Sequence, residues 1–272
     1  LLLQVWASCL WPGHSELVPS FPSSFCPFFY GNTPPNNALQ PNNPAWICQR
    51  YKNRYHYATL YDRKERIPVY SAYIYQPGPV KRPSPLWMIE PQLISQNYPK
   101  EMQTEMALMQ KYKVSQQAIR RSQAVYGDYS NLKDLDRGHL SPAGHQNTQD
   151  SKIATFTLTN IVPQNSTLNK GAWKNYEEQT MAQKSQNCNL TYVIVGAVPG
   201  NTYISNGRVN VPSHIWSSAC CKMNNNAMDA WGVIAQNNMN QVEILSLTDL
   251  EDRLSKLYKR PVSLFHSDCP RK

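Results

Sequence analysis

Asp136-Arg137-Gly138-His139-Leu140-Ser141-Pro142-Ala143-Gly144 is the stretch on which the reading of this chain turns. It packs a carboxylate, an always-charged guanidinium and a titratable imidazole around one glycine. Thirty residues beyond His139, Asn169 opens Asn169-Lys170-Gly171-Ala172-Trp173-Lys174-Asn175-Tyr176-Glu177, a segment that reads as a helix. A base of near-neutral pKa, a neutral oxygen donor and nearby arginines suit metal-assisted phosphodiester cleavage.

Such cleavage by water needs a deprotonated nucleophile, relief of charge on the phosphorane and a stabilised leaving alkoxide. An imidazole with an ordinary pKa of about 6.5 is largely neutral at pH 7, so His139 is the candidate general base. Asn169 is the candidate metal ligand. A carboxamide oxygen is hard enough for Mg²⁺, or Mn²⁺ in its place, yet leaves the ion its full charge, and Mg²⁺ accepts a shell made mostly of water. Arg137 offers a planar fork for a non-bridging phosphate oxygen. Asp136 is placed to tie down the turn that presents His139. Asn169, Trp173 and Glu177 stand four apart, on one slowly drifting helical stripe. Trp173 is expected to bury beneath the site and Glu177 to orient a water near the ion. Each residue also has a plain reading: a turn histidine, a helix-capping asparagine, a solvated glutamate. The combination carries the chemistry.

Outward from the motif, Tyr55–Tyr61 and Ile67–Tyr75 read as strands joined by a turn at Asp62-Arg63-Lys64-Glu65-Arg66. Residues 16–50, rich in Pro, Asn and Ser, read as an ordered loop pinned by cysteines, and the proline-rich 78–100 as irregular. Lys100–Lys111 and Ser115–Val125 read as helices, with Met102, Met106 and Met109 as core filler. Ala154–Ile161 alternates threonine with apolar residues, a half-buried strand. A helix is expected over Leu168–Lys184, capped by Ser166 or Thr167. Tyr192–Val198 reads as a central strand. Asn206-Gly207 marks a hairpin, and Thr248–Glu251 a capping box opening a helix through Leu250, Leu254 and Leu257. Strands and helices mix without βαβ alternation, so the class is α+β, with residues 16–272 as a single domain.

The chain has 272 residues, a hydrophobic content of 41% and a net charge of +9. That composition argues for a globular rather than a disordered chain, and the surplus of cations fits polyanionic partners and a merely soluble basic surface about equally. Residues 1–15 read as the remnant of a secretory signal peptide, with a buried N-terminal strand as the alternative, and no later run is long and apolar enough to anchor the chain in a membrane. Removing Cys9 with that segment leaves Cys26, Cys48, Cys188, Cys220, Cys221 and Cys269, an even set suited to disulfides outside the cell. Cys26 and Cys48 bracket one loop and are expected to pair. The neighbours Cys220 and Cys221 do not readily bond to each other and are expected to take separate partners, Cys188 and Cys269, with the sequence leaving open which takes which. Asn165 and Asn189 head glycosylation sequons, of which Asn189 lies farther from the proposed site.

The motifs Ile47-Cys48-Gln49-Arg50-Tyr51-Lys52, Asp136-Arg137-Gly138-His139-Leu140, Ala154–Gln164 and Leu168-Asn169-Lys170-Gly171-Ala172-Trp173 resemble those of the DNA/RNA non-specific endonuclease family. The resemblance extends over essentially everything after the leader. It implies a ββα-metal (His-Me finger) fold with a central mixed or antiparallel sheet flanked by helices. His139 would lie on the second strand of a hairpin and Asn169 on the helix crossing it. It further implies that His139 is the general base, Asn169 the sole direct Mg²⁺ ligand, and Arg137 and Glu177 supporting residues. Arg82 is the candidate for an upstream phosphate clamp, and His145 and Asn160 are candidates for shaping the site. The expected activity is a secreted Mg²⁺-dependent nuclease acting on DNA and RNA. The rival reading is a secreted polyanion- or partner-binding module that keeps the fold with little or no turnover.

Overall fold

In the computed structural model, which describes residues 17–21 and 26–271, the apolar run from Tyr192 to Val198 lies where such a run belongs, inside a sheet covered on both faces. In chain order the strands are β1 (Leu17–Val18), β2 (Pro44–Tyr51), β3 (Arg54–Asp62), β4 (Ile67–Ile74), β5 (Leu135–His139), β6 (Ile161–Asn165), β7 (Cys188–Val198), β8 (Thr202–Ile204), β9 (Val209–Val211), β10 (His214–Met223), β11 (Met228–Gln236) and β12 (Glu243–Leu245). The helices are α1 (Glu105–Tyr112), α2 (Gln116–Ser122), α3 (Gln149–Ala154), α4 (Ser166–Lys170), α5 (Ala172–Asn175), α6 (Met181–Lys184) and α7 (Leu247–Tyr258). Eight strands form one sheet in the order β1-β2-β3-β4-β7-β10-β11-β12, antiparallel throughout. The separate pair β5–β6 carries the motif, and β8–β9 is the hairpin at Asn206-Gly207.

Successive side chains on a strand point to opposite faces, and that divides the interior in two. Val193, Val195 and Ala197 of β7 pack toward the face that holds β5, β6 and the Trp173 helix. Ile194 and Val198 pack toward the face covered by the N-terminal segment and α7. The same alternation decides the cysteines. Cys221 points to the first face and bonds Cys188, while Cys220 points to the second and bonds Cys269. Cys26 bonds Cys48, fastening the N-terminal segment to β2. All three bridges agree with the expected separate partners.

Several expectations need correction. The Ala154–Ile161 segment is the end of α3 followed by a 3-10 turn at Leu158–Asn160, and the strand begins only at Ile161. Its threonines do not face solvent. Thr155 donates to the Lys152 carbonyl, and Thr157 and Thr159 donate to the buried Glu90 carboxylate, so the alternation marks buried polar partners. The helix expected over Leu168–Lys184 starts at Ser166, with Asn165 as cap accepting from Leu168 N at 3.1 Å. It breaks at Gly171 and continues through a π turn at Tyr176–Thr180. Ser246, rather than Thr248, caps α7 by accepting from Asp249 N. Helix α1 starts at Glu105, so Met102 is buried ahead of it. Met106 and Met109 lie on its exposed side, and Leu108 is the residue that enters the core. The last part of 16–50 is strand β2 rather than loop. The leader assigned to 1–15, with Cys9, lies outside the described residues.

Candidate active site

Strand β5 ends on His139, and Gly138 just before it lies across from Val162 of β6. A Cβ at 138 would collide with Gln164 Oε1 and come within 2.6 Å of Gln164 Cβ, so the close approach of the two strands requires glycine there. His139 lies on β5, the first strand of the pair in chain order and not the second as expected, and the two strands are joined by the long excursion through α3 rather than by a tight turn. The chain leaves β6 through the Asn165 cap directly into α4, and this places Asn169 beside β5.

Asp136 is the hinge of the arrangement. Its carboxylate accepts from Asn169 Nδ2 at 3.1 Å, Ser166 Oγ at 3.0 Å and Lys170 Nζ at 2.9 Å. Burial opposes its charge, but these bonds outweigh burial and hold the carboxyl below its ordinary range. Since Asp136 takes the amide nitrogen of Asn169, the amide oxygen is left without a protein partner among the described residues. Asn169, Asp136, His139, Arg82 and Glu177 all line one cavity of about 720 Å³.

His139 is half-buried between the rings of Trp87, centroids 5.7 Å apart, and Phe156, at 5.0 Å. Its ring is hydrogen-bonded to the Arg137 backbone, and Nε2 is closed over with no hydrogen-bond partner. Nδ1 therefore carries the proton and Nε2 the lone pair, the tautomer a general base needs. Burial, with the charge of Arg82 adding to it, pushes the imidazole down to about 3. The ordinary value expected from sequence is thus corrected: the ring is neutral at any physiological pH.

Glu177 accepts from Trp173 Nε1 at 3.0 Å, so Trp173 lies buried beneath the site and fixes one carboxyl oxygen. Burial pushes Glu177 up to about 8, with the Trp173 bond pulling the other way. Arg82 is exposed, with its guanidinium 5.3 Å from the Phe156 ring centroid. Arg137 stacks between Trp87 and Tyr126, at 5.3 and 4.8 Å, and donates to the Tyr129 carbonyl. Its guanidinium is held by aromatic faces while the residue still borders the cavity.

His145 and Asn160 shape the surroundings. Asn160 is fully buried; its Oδ1 accepts from Ser71 Oγ and Ser141 N, and its Nδ2 donates to the carbonyls of Ser141 and Thr155. It thereby fastens both ends of the excursion that follows His139. His145 Nε2 meets the Glu177 carbonyl at 2.9 Å and so carries the proton, leaving Nδ1 to accept from Tyr73 Oη at 2.8 Å. Burial pushes His145 down to about 4. The folded protein thus binds fewer protons than the unfolded chain between pH 4 and 6.5, and the stability His145 contributes at neutral pH is lost as pH falls through that window. We expect about 3 kcal/mol of acid sensitivity from this group. Urea unfolding of His145→Gln at pH 7 and pH 4 checks it: the variant should lose less stability than wild type, and an equal loss would contradict the assignment.

Trp87, Phe156 and Lys152 also contact or border the site, and no motif in the sequence marks them. Trp87 is far from the motif along the chain, and no spacing rule connects them. Phe156 was visible only as one apolar residue of an alternating segment.

A two-stranded ribbon bearing a histidine, followed directly by a helix bearing an asparagine, is the ββα-metal arrangement of nucleases. Residues 34–260 match the DNA/RNA non-specific endonuclease family, and the chain belongs to it. Among curated relatives, it is 30% identical over 251 residues to the endonuclease domain-containing 1 protein of Homo sapiens. Its identity to that of Mus musculus is 28% over 245 residues. Each alignment takes in 89% of this chain but only 47% and 46% of the relative, so the chain spans less than half their length. A nuclease of Nostoc sp. is 34% identical over 82 residues, 30% of each protein. The solved structure of EndoG in the EndoG/EndoGI complex superposes with a TM-score of 0.51 over 80% of this chain and 85% of that one. At 16% identity the superposition shows the fold.

Proposed function

We propose that this chain is a secreted Mg²⁺-dependent endonuclease that hydrolyses phosphodiester bonds in DNA and RNA with little sequence preference. The family and the fold are those of nucleases. The observation that carries the finer reading is the hydrogen bond from Asn169 Nδ2 to Asp136, which leaves the amide oxygen without a partner among the described residues in the cavity that His139 also borders. No group of three His, Cys, Asp or Glu side chains among the described residues could hold a metal. The donor set therefore suits an ion that keeps most of its water, as Mg²⁺ does and a four-coordinate structural Zn²⁺ does not.

In this reading Asn169 would hold the ion, with Asp136 fixing its orientation. Bound there, a divalent cation supplies charge neutralisation on the phosphorane and the leaving oxygen. His139 takes the proton of the attacking water at Nε2, with Nδ1–H held by the Arg137 backbone. Before that, Nε2 must be uncovered. The exposed Arg82, resting on Phe156, is the group free to swing onto a phosphate oxygen as the substrate enters. Glu177, steadied by Trp173, orients a water, and a nearby cation favours its carboxylate over the neutral acid. Arg82, Arg137 and the lysines of the cavity address the backbone rather than base edges, which underlies the low selectivity. Three disulfides support an oxidising, extracellular setting. No helix among the described residues is long and apolar enough to cross a membrane.

The enclosure of His139 Nε2 favours a second reading, a module that binds polyanions without turnover. Incubating the oxidised protein with plasmid DNA and with RNA, in Mg²⁺ and in EDTA, separates the two. Cleavage of both substrates only in Mg²⁺ is expected. Binding without cleavage would establish the second reading instead.

A further inference from the structure

Five cationic side chains line the cavity: Arg82, Arg137, Lys152, Lys170 and Lys174. Four of them have evident company or solvent. Lys170 pairs with Asp136 at 2.9 Å, and Lys174 with Glu178 at 3.8 Å. Arg137 stacks on aromatic rings, and Arg82 is exposed. Lys152 is different. It is only 3% exposed, and its ammonium makes a single hydrogen bond, to the Ala143 carbonyl at 3.0 Å. No carboxylate pairs with it among the described residues. Asp150, two positions away on α3, is engaged instead by Lys52 at 2.8 Å.

A buried ammonium without a counter-charge is costly, and a charged group so placed at the wall of a cleft is a candidate for binding a ligand of opposite charge. Lys152 has three donors and uses one. Its one partner lies in the Pro142–His145 turn, whose residues border the same cavity. Gly144 in that turn is exposed and borders the cavity, and a Cβ there would meet no atom within 4 Å. Burial also lowers the pKa of Lys152, as expected for a cation still lacking its anion.

We infer that Lys152 is a substrate-binding residue that takes a non-bridging oxygen of a phosphodiester flanking the one cleaved, at a subsite walled by the Pro142–His145 turn. This rests on the reading of the cavity as a phosphodiester site. The Lys152 ammonium stays hydrogen-bonded to Ala143 and turns its remaining donors onto the phosphate. The chain thereby gains a contact that holds a strand of several nucleotides in register.

The test is equilibrium binding of a fluorescein-labelled thymidine hexadeoxynucleotide in EDTA, over a series of NaCl concentrations. Wild type is compared with Lys152→Gln, Lys152→Met and Lys152→Arg, each checked for wild-type thermal unfolding. Lys152→Gln removes the charge and keeps a donor for Ala143, so it reports the charge even if Lys152→Met fails to fold. Loss of the charge should weaken binding about tenfold at low salt. It should also make the slope of log K against log salt shallower by about 0.7, one single-strand phosphate contact. Lys152→Arg should keep the slope. A purely structural lysine would leave the slope unchanged in the folded variants, and that result overturns the inference. Failure of the wild type to bind in EDTA overturns it too, because a preformed cationic wall needs no metal. Wild type that binds with the expected slope change but never cleaves in Mg²⁺ would sink the nuclease reading and leave this one standing. Cleaving wild type with an unmoved slope in Lys152→Gln would do the reverse.

Discussion

Alanine at position 139 is expected to lower the single-turnover cleavage rate by about 10²- to 10⁴-fold, the range for loss of a positioned general base. Divalent-cation binding should be unaffected. The direction follows from what His139 touches. One ring nitrogen is committed to the Arg137 backbone, and the other has no partner among the described residues. Alanine therefore removes the Nε2 lone pair and one bond within the Leu135–His139 strand, but no hydrogen bond to another element. The side chain also fills the gap between Trp87 and Phe156, so alanine should cost stability as well. His139→Gln keeps polarity and approximate volume. A rate loss in His139→Gln, at wild-type unfolding temperature, separates chemistry from packing. Cleavage within a few-fold of wild type in both variants would remove His139 from the mechanism.

The second large effect is expected at Asn169. Asn169→Ala deletes the amide oxygen and should raise the Mg²⁺ concentration for half-maximal cleavage by more than the 10- to 100-fold typical of losing an orienting partner. Asp136→Asn, which keeps shape but loses the charge that aligns the amide, should fall within that 10- to 100-fold range. The two variants are expected to be non-additive, since Asp136 acts on the ion through Asn169. A Mg²⁺ titration of cleavage for the two single variants and the double variant reads all three numbers. Equal Mg²⁺ requirements in Asn169→Ala and wild type would contradict the assignment.

Much of the fold was legible because its signals are local. Asn206-Gly207 specifies its hairpin, Tyr192–Val198 is apolar on both faces because both faces of β7 are buried, and adjacent cysteines on a strand must look opposite ways. The misreadings arose where tertiary contacts outweighed pattern. The alternating threonines after α3 face a buried carboxylate, and Met106 and Met109 repeat at helical spacing on a side that faces water. At the site, the motif identified which residues meet, since Asp136, His139, Asn169 and Glu177 share one cavity. It did not show how each is tuned. The depressed imidazole of His139 depends on Trp87, Phe156 and Arg82, which are distant in sequence from its motif. Lys152 carries no signal in the sequence, because a lysine on a short polar helix usually faces solvent, and only its burial reveals otherwise.

The most direct test of a metal-assisted His139–Asn169 site is anomalous diffraction from crystals of the oxidised protein soaked in Mn²⁺. A single strong peak about 2.2 Å from Asn169 Oδ1, on the side of the cavity that His139 borders, is expected, at a ligand distance close to that of Mg²⁺. A peak elsewhere, or no peak near Asn169 at Mn²⁺ concentrations that support cleavage, would contradict it.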